Sequence, residues 1–514
     1  MANTTFNIPR GHLIMALCLP LAVLLGYVLA EPFESGSVAV VVFVLVVLSV
    51  PLLMKWHHPL LILSWNATIN PMFLPGRASL WLLLSGICLL FGIVNRATDP
   101  NEKFISVPPI TKAVAILAAV IVVTGFLTGG FGSRFLGSSH MGGRKYYYLL
   151  GAIAGYFALT SRQIPVSRSS LYTAFFFLSG LTALVGHLAF LAGPATYFLF
   201  SLFSPDFVQD QAAASFSLNP EMVRISGFIL VAPAIYSWLF ARFGIRGVFD
   251  PSRLWRPLLL LLALTCALFG GFRSALVMFL LTFAFLFFLE GLHRTKYLFF
   301  LGSLALLTTA LLVPFANKLP LTTQRTLSVL PLNLDPVARQ SADGSSEWRI
   351  QMWKAALSEI PKYLFRGKGY ALDPRDVAET EILRASPHND SWNGAFLMGD
   401  YHNGPLSLLI PFGIYGALAF LWFLFVSLRT MYRYFKLGDP NLRTINALLL
   451  ATFTAKTVIF FFVFGSLYSD MAFFTGLLGL SVALNGAEPS PAPVEETTVT
   501  QLDPDFNPGL SPYS

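Results

Sequence analysis

Charged residues are scarce in this sequence. Asp, Glu, Lys and Arg make up only 12% of its 514 residues, whereas 55% are hydrophobic and the mean hydropathy is +0.66. Soluble domains carry roughly a quarter charged residues, so this composition excludes an ordinary water-soluble protein and indicates a membrane protein. The formal net charge is +8, but the basic residues are spread over short segments between apolar runs. No nucleic-acid partner is predicted, because such a partner needs basic residues clustered on one element.

Cysteines and motifs for metals or cofactors are also scarce. Cys18, Cys88 and Cys266 all lie inside apolar runs, where they are most simply small buried side chains and form no disulfide framework. The sequence contains no CxxC, HExxH, P-loop or nucleophile-elbow pattern. We therefore predict no cofactor and no metal site.

Long apolar runs fill most of the chain. At about 17–25 apolar residues per span, helices are predicted near 12–30, 37–54, 79–95, 110–131, 144–160, 169–191, 223–241, 255–271, 273–289, 296–316, 404–428, 443–464 and 469–485. A weaker run near 59–73, which contains Asn66 and Asn70, is counted as a further span. With it, most Lys and Arg residues of the short loops fall on one side, as the positive-inside rule requires. The predicted fold class is all-α: a polytopic transmembrane bundle of about fourteen helices, with both termini in the cytoplasm.

One long polar stretch interrupts the apolar runs. Residues 317–403 are predicted to form a large, partly helical periplasmic loop between a bundle of about eleven helices (1–316) and three C-terminal helices (404–485). Within the loop, the pattern over 345–360 predicts an amphipathic helix, which lies on the membrane surface or packs into a protein core. The tail (486–514) is rich in Pro, Ser, Thr and acidic residues, and we expect it to be a disordered cytoplasmic extension.

Two arginines and a histidine stand out on the predicted outer side. Arg224 is predicted to begin one helix, Arg273 follows the turn before another, and His402 lies where the long loop re-enters the membrane. Snorkelling to lipid headgroups is the simplest alternative explanation for each arginine. Guanidinium groups near helix N-termini suit a diphosphate, and a neutral histidine beside them could take the proton of a hydroxyl. The interpretation is transfer of a group from a lipid diphosphate to an alcohol, with His388 of the same loop as the reserve base.

The re-entry stretch resembles the signature of the O-antigen ligases. In that signature a His is followed by Asn, Ser or Gln, then nine residues, Gly, two residues and Gly, and His402, Asn403, Gly413 and Gly416 have this spacing. The same spacing from His388 fails at its last position, where His402 replaces the glycine. Three further stretches resemble the O-antigen ligase/polymerase superfamily: Arg224-x-Ser226-Gly227, Phe272-Arg273-Ser274-Ala275, and Arg349 with Trp353 and Gly367-Lys368-Gly369. The resemblance covers roughly residues 200–430, about half of the chain.

The resemblance implies an inverting, metal-independent glycosyltransferase of the bacterial inner membrane with a periplasm-facing site. Its implied partners are membrane lipids, a polyprenyl-diphosphate-linked glycan as donor, and a lipid-linked, glycan or protein acceptor. By analogy, Arg224 and Arg273 would hold the diphosphate and His402 would deprotonate the acceptor hydroxyl. Arg349, Trp353 and Asn403 would then lie on the loop or acceptor side.

Other functions stay open from the sequence. A ligase, a polymerase and a protein-glycosylating enzyme of this superfamily share the donor, so the motif favours the ligase without deciding between them. A polysaccharide exporter or secondary transporter would place its charges near the bilayer midplane, on broken helices in paired halves. Here the candidate charges are predicted at outer helix ends, which favours the enzyme over the transporter and over a scaffold protein.

Overall fold

The computed structural model describes residues 35–72, 77–98, 104–131, 142–203, 224–225, 227–372 and 392–487, with a few single positions elsewhere. Within these ranges the regular elements are helices, with one isolated bridge between Ile69 and Phe203. The predicted all-α fold class is confirmed. The first predicted helix, near 12–30, and the tail lie largely outside the described residues.

The α-helices of the described ranges are numbered here in chain order. They are α1 (Ser35–Ser64), α2 (Leu80–Thr98), α3 (Pro108–Thr128), α4 (Gly143–Leu159), α5 (Ser169–Leu178), α6 (Val185–Ala192), α7 (Phe228–Val248), α8 (Trp255–Phe269), α9 (Arg273–Leu289), α10 (Tyr297–Leu312), α11 (Leu321–Leu327), α12 (Pro336–Leu357), α13 (Ile360–Tyr363), α14 (Asn393–Leu397), α15 (Gly404–Leu437), α16 (Arg443–Phe462) and α17 (Leu467–Asn485). Short 3₁₀ segments join several of them.

Many of these helices have the length and composition of membrane spans. Eight helical stretches of the described residues qualify by length and hydropathy: Leu80–Thr98, Pro108–Thr128, Val166–Ala192, Phe228–Val248, Tyr297–Lys318, Gly404–Leu437, Pro440–Phe462 and Leu467–Asn485. The shorter helices α8 and α9 are equally apolar in character. The chain is therefore a polytopic helical membrane protein, and the total of about fourteen spans stays a prediction.

The prediction of a separate membrane span over 59–73 is wrong. Helix α1 continues to Ser64, and residues 65–72 are not helical. Their polar groups are satisfied by other segments instead: Asn66 Nδ2 donates to Phe176 O (2.8 Å), and Asn70 N donates to Leu202 O (2.8 Å). Hydropathy does not detect such contacts, because they join residues far apart in the sequence.

The chain divides into two compact units, Met1–Leu60 and Leu61–Ser514, and the following description concerns the second. Its most buried spans are α16 and α17, whereas no residue of α10 is buried within the protein. An apolar helix that is exposed along most of its length requires an apolar surrounding such as lipid. In α17, Gly479 leaves room for Leu159 of α4, since a Cβ at this glycine would lie 2.8 Å from Leu159 Cδ1. Small residues at such contacts are typical of membrane helix packing.

Residues 317–403 pack against the membrane helices through α12. Met352 and Ala356 on its apolar face are fully buried. Ala356 belongs to a cluster with Tyr401, Leu406 and Ile410, the last two on α15. Residues 345–357 of the predicted amphipathic helix 345–360 are helical and belong to the longer α12, which ends at Leu357. The apolar face packs in a protein core, one of the two alternatives left open.

A break in α15 joins this helix to the preceding segment. Gly413 has φ 63° and ψ −163°, which interrupts the helix and frees backbone groups. Lys368 N donates to Ile410 O (2.8 Å), Gly369 N donates to Pro411 O (2.9 Å), and Ile414 N donates to Leu364 O (2.7 Å). Gly413 of the signature thus has a local structural explanation, because a residue with a Cβ is strained at positive φ.

Gly413→Ala is expected to destabilise the protein. The left-handed conformation costs a residue with a Cβ about 1–2 kcal/mol, and this Cβ would also lie 2.5 Å from Leu364 O. The matched control is Gly302→Ala in the middle of α10, where nothing lies within 4 Å of the added Cβ. Thermal unfolding of both variants in detergent checks this, and equal midpoints would contradict the role given to Gly413.

Candidate functional site

The turn between α8 and α9 leaves the space that the Arg224 side chain occupies. Gly271 has φ 73°, and a Cβ there would lie 2.9 Å from Arg224 Cγ. Glycine is therefore needed at this position both for its backbone conformation and for the space that Arg224 occupies. The guanidinium carbon of Arg224 lies 5.4 Å from the centroid of the Phe272 ring, within range of a cation–π contact.

Arg224 does not begin a helix, so this part of the prediction is wrong. Helix α7 begins at Phe228, after a turn at Gly227. Ile225 N donates to Phe269 O (3.3 Å) instead of entering a helical turn. Contact with the end of α8 therefore holds Arg224 in a non-helical segment, and its neighbour Ser226 lies outside the described residues.

Arg273 is the first residue of α9, as the Gly-Gly turn predicts. Its Nη2 donates to Ala342 O (3.0 Å) and to Ser346 Oγ (3.1 Å), both on α12. Asp343 of the same helix interacts electrostatically with it. Arg273 thus attaches α12 to the turn that also holds Arg224.

Arg325 lies in the short helix α11 and was not among the sequence candidates. It is 7% exposed, and its Nη1 donates to Gly271 O (2.9 Å). Its Nε is buried and has no hydrogen-bond partner among the described residues. An unpaired buried donor on a charged group is costly, so this nitrogen indicates a place for an acceptor.

Four guanidinium groups therefore lie close enough to repel one another. We call Arg224, Arg273, Arg325 and Arg349 the arginine cluster. Burial, and then the charges of the other three, lower the pKa of Arg325 to about 10. Burial and the charges of Arg273 and Arg224 likewise lower the pKa of Arg349, whose Nε is also buried without a partner among the described residues. All four groups stay charged near pH 7, and such an excess of positive charge favours a bound anion.

His402 lies beside this cluster in an unusual backbone conformation, with φ 49°. Its ring centroid lies 5.1 Å from that of Phe464 in a stacked arrangement and 5.5 Å from that of Trp348. Its Nδ1 lies 3.8 Å from Asp400 Oδ1, too far for a hydrogen bond, and both atoms are buried without a hydrogen-bond partner among the described residues.

The pKa of His402 is lower than its usual value of 6.5. Burial is the main cause, the nearby carboxylate of Asp400 opposes it, and the positive charge of Arg349 adds to it. The imidazole is therefore neutral at physiological pH, which is the form that accepts a proton.

Hydrogen bonds hold the residues on either side of His402. Trp353 Nε1 donates to Tyr401 O (2.8 Å), and Asn403 Oδ1 accepts a hydrogen bond from Leu406 N (3.1 Å) as the N-cap of α15. Trp353 and Asn403, predicted for the loop or acceptor side, thus use these polar atoms to position the chain around His402.

Phe464 contacts both His402 and Arg349, and it was not among the candidates identified from the sequence. It lies in the turn between α16 and α17, where its ring stacks on His402 and lies 5.7 Å from the guanidinium carbon of Arg349. The ends joined by this turn are held by an ion pair, with Lys456 Nζ 2.7 Å from Asp470 Oδ1. A phenylalanine in an apolar run carries no signal of such a role.

Arg349 connects the other three arginines of the cluster to His402. Its charge acts on Arg224 and Arg273 and also on His402. The structure therefore brings together the sequence candidates Arg224, Arg273, Arg349 and His402. Gly413 and Gly416 lie further along α15 at the helix break, and His388 lies outside the described residues.

This arrangement combines an anion site with a neutral base. Guanidinium groups match phosphate oxygens, and a neutral imidazole can accept a hydroxyl proton. Among the residues that the structure describes, no group of three His, Cys, Asp or Glu side chains could hold a metal ion. Arg325 could have been suspected from the sequence, because it is the first basic residue after Lys318 in the predicted outer loop.

Fold and site together define a polytopic, all-α membrane protein with a cationic site close to a histidine. Residues 258–421 match the family described as O-Antigen ligase. This match covers about a third of the chain, includes Arg273, Arg325, Arg349 and His402, and supports membership of the O-antigen ligase superfamily. It indicates a function of the O-antigen ligase/polymerase type, in an integral membrane protein. A search of curated proteins finds no match.

Replacing Arg325 by glutamine is expected to weaken binding of inorganic pyrophosphate about tenfold or more, because a charged donor is lost from a buried anion site. Isothermal titration of the purified protein in detergent measures the dissociation constant. Arg339→Gln is the matched control, since Arg339 donates to Leu332 O (3.2 Å) in the same segment and is not part of the arginine cluster. Equal weakening in both variants would exclude a specific role for Arg325.

Proposed function

We propose that this protein transfers a glycan from a polyprenyl-diphosphate donor to an acceptor hydroxyl, in the manner of an O-antigen ligase. The observation that supports this most is that Arg349 of the arginine cluster and His402 contact the same ring of Phe464, at 5.7 Å and 5.1 Å from its centroid. A lipid diphosphate supplies the negative charge that four guanidinium groups require. The acceptor hydroxyl supplies the proton that a neutral histidine can take.

In the proposed reaction the acceptor oxygen attacks the anomeric carbon of the donor sugar. The bond between this carbon and the diphosphate oxygen breaks, and polyprenyl diphosphate leaves. Attack opposite to the leaving group inverts the anomeric configuration. The hydroxyl proton goes to His402, while the arginines stabilise the charge that develops on the leaving oxygen. The proposal needs no metal, because fixed positive charges provide this stabilisation.

The proposed site faces the periplasm of a bacterial inner membrane, and the C-terminus is proposed to be cytoplasmic. The distribution of Lys and Arg over the short loops supports this orientation. The cytoplasmic N-terminus expected from the sequence rested on a separate span over 59–73, and the structure does not contain that span. Residues 317–403 would then lie outside, where an acceptor can reach His402.

A polymerase of the same superfamily is the alternative, since it would use the same donor site. The two differ in the acceptor: a ligase joins the glycan to a lipid core, whereas a polymerase joins repeat units to one another. Product length separates them, because a polymerase extends a chain stepwise and a ligase adds one preformed glycan. A polysaccharide exporter would move the glycan without breaking a bond, and it is the more distant alternative.

His402→Ala is expected to reduce glycan transfer at least 100-fold, the usual contribution of a general base. The assay incubates the protein in lipid with a polyprenyl-diphosphate oligosaccharide and candidate acceptors, and measures release of polyprenyl diphosphate together with glycosylated product. Addition of a chelator is expected to leave the rate unchanged.

His388→Ala is the control, because His388 is the reserve candidate for the base. Its rate is expected to stay within a few-fold of that of the wild type. Loss of activity in this variant alone would transfer the role to His388. Glycan uptake into proteoliposomes without product formation would favour the exporter instead.

The pH dependence of transfer gives a separate test. The rate is expected to fall with decreasing pH as His402 becomes protonated, with the midpoint below 6.5 because its pKa is lowered. Asp400→Asn removes the charge that raises this pKa, so the midpoint should move to lower pH. Arg349→Gln removes a charge that lowers it, so the midpoint should move to higher pH.

Lys354→Gln on the exposed face of α12 is the charge-matched control, and its midpoint should stay unchanged. A shift of Asp400→Asn to higher pH would contradict the assignment of this limb of the profile to His402.

A further inference from the structure

A polar cavity of about 110 Å³ lies between α5, α7 and the N-terminal end of α16. Ser169, Ser170 and Thr173 line it from α5, and Trp238 and Arg242 line it from α7. Arg242 lies about 20 Å along α7 from Phe228, the end near Arg224. The cavity is therefore at the opposite end of this helix from the arginine cluster.

Two helix N-termini meet at this cavity. Ser169 is the first residue of α5, and Thr444, which also lines the cavity, lies in the first turn of α16. Each helix follows a 3₁₀ turn that already accepts its first N–H, from Ser169 N to Val166 O and from Arg443 N to Pro440 O, and the Asp439 side chain caps the turn before α16. The helix dipoles still favour a negatively charged group near these ends.

Side chains lining the cavity have unused hydrogen-bonding capacity. Thr173 is only 2% exposed, yet its Oγ1 has no partner among the described residues. Other helical threonines of this chain, such as Thr454 and Thr457, donate to the carbonyl four residues earlier (2.8 and 2.9 Å). A buried hydroxyl without a partner is costly, so its presence at a cavity indicates a ligand with acceptor atoms.

Arg242 supplies a positive charge at this cavity. It is exposed and lines the cavity, and it forms no salt bridge or side-chain hydrogen bond within the described part of the chain. Asn441, in the 3₁₀ turn before α16, adds an amide at the cavity's edge. Hydroxyls, an amide, a guanidinium and two helix N-termini together match the oxygens of one phosphate group.

We propose that this cavity binds a phosphate group, either that of a phospholipid headgroup or free phosphate. Trp238 lines the cavity from the middle of α7, and the exposed residues Arg242 and Asn441 line it where a ligand can enter. A bound phosphate joins the first turns of α5 and α16 to α7 and cancels the charge of Arg242. It thereby stabilises the packing of three helices at the end remote from the arginine cluster, independently of the proposed transfer reaction.

The test measures thermal unfolding of delipidated full-length protein in a neutral detergent. The probes are dioctanoyl phosphatidylglycerol, dioctanoyl glycerol without the phosphate, inorganic phosphate, and chloride at matched ionic strength. The variants are Arg242→Gln and Thr173→Val, which keeps the shape of threonine but lacks its hydroxyl. Arg253→Gln is the control, because Arg253 lies in the segment after α7 and does not line the cavity.

The expected result is a rise in the unfolding midpoint with a phosphate-containing probe only. The apparent affinity should fall roughly tenfold in Arg242→Gln and measurably in Thr173→Val, but not in Arg253→Gln. A response to the phospholipid alone identifies a headgroup site, and a response to inorganic phosphate as well identifies a site for free phosphate. No response to either, or the same response in wild type and Arg242→Gln, would overturn the proposal.

Discussion

Like charges that are held close together in a partly buried place repel one another, and the arginine cluster has to be maintained against this repulsion. The carboxylate of Asp343 opposes this repulsion at Arg273. The side chains are held mainly by backbone carbonyls: Gly271 O accepts a hydrogen bond from Arg325, and Ala342 O accepts one from Arg273. Neutral acceptors fix a guanidinium group without cancelling its charge, so the positive potential stays available for a ligand.

The same contacts join the segment 317–403 to the membrane helices. Arg273 holds α12 at one place, and the apolar face of α12 packs against α15 at another. The break at Gly413 adds backbone hydrogen bonds to the chain around Gly369. Because these connections lie on both sides of Arg349, they determine how close this arginine comes to the rest of the cluster and to His402. Residues that bear no chemistry, such as Gly271 and Gly413, are therefore as necessary to the geometry as the charged ones.

Much of the fold could be predicted from local sequence. Apolar runs of sufficient length predicted most of the helices, and the Gly-Gly turn predicted that α9 begins at Arg273. The prediction failed at 59–73 and at the start of α7, where backbone groups bond to distant segments rather than along a helix. Arg325 and Phe464 were missed for a similar reason, since each lies in a segment whose partners are far away in the sequence.

The sequence by itself determined that the chain is an all-α membrane protein and which superfamily its re-entry stretch resembles, because both depend on composition and on spacing along the chain. Only the tertiary structure decided that four arginines come together, that Arg349 connects them to His402, and that α12 packs in a core. The physical reason is that electrostatic interactions and side-chain contacts depend on distance in space. Residues separated by more than a hundred positions, such as Arg224 and Arg349, become neighbours only after the helices have packed.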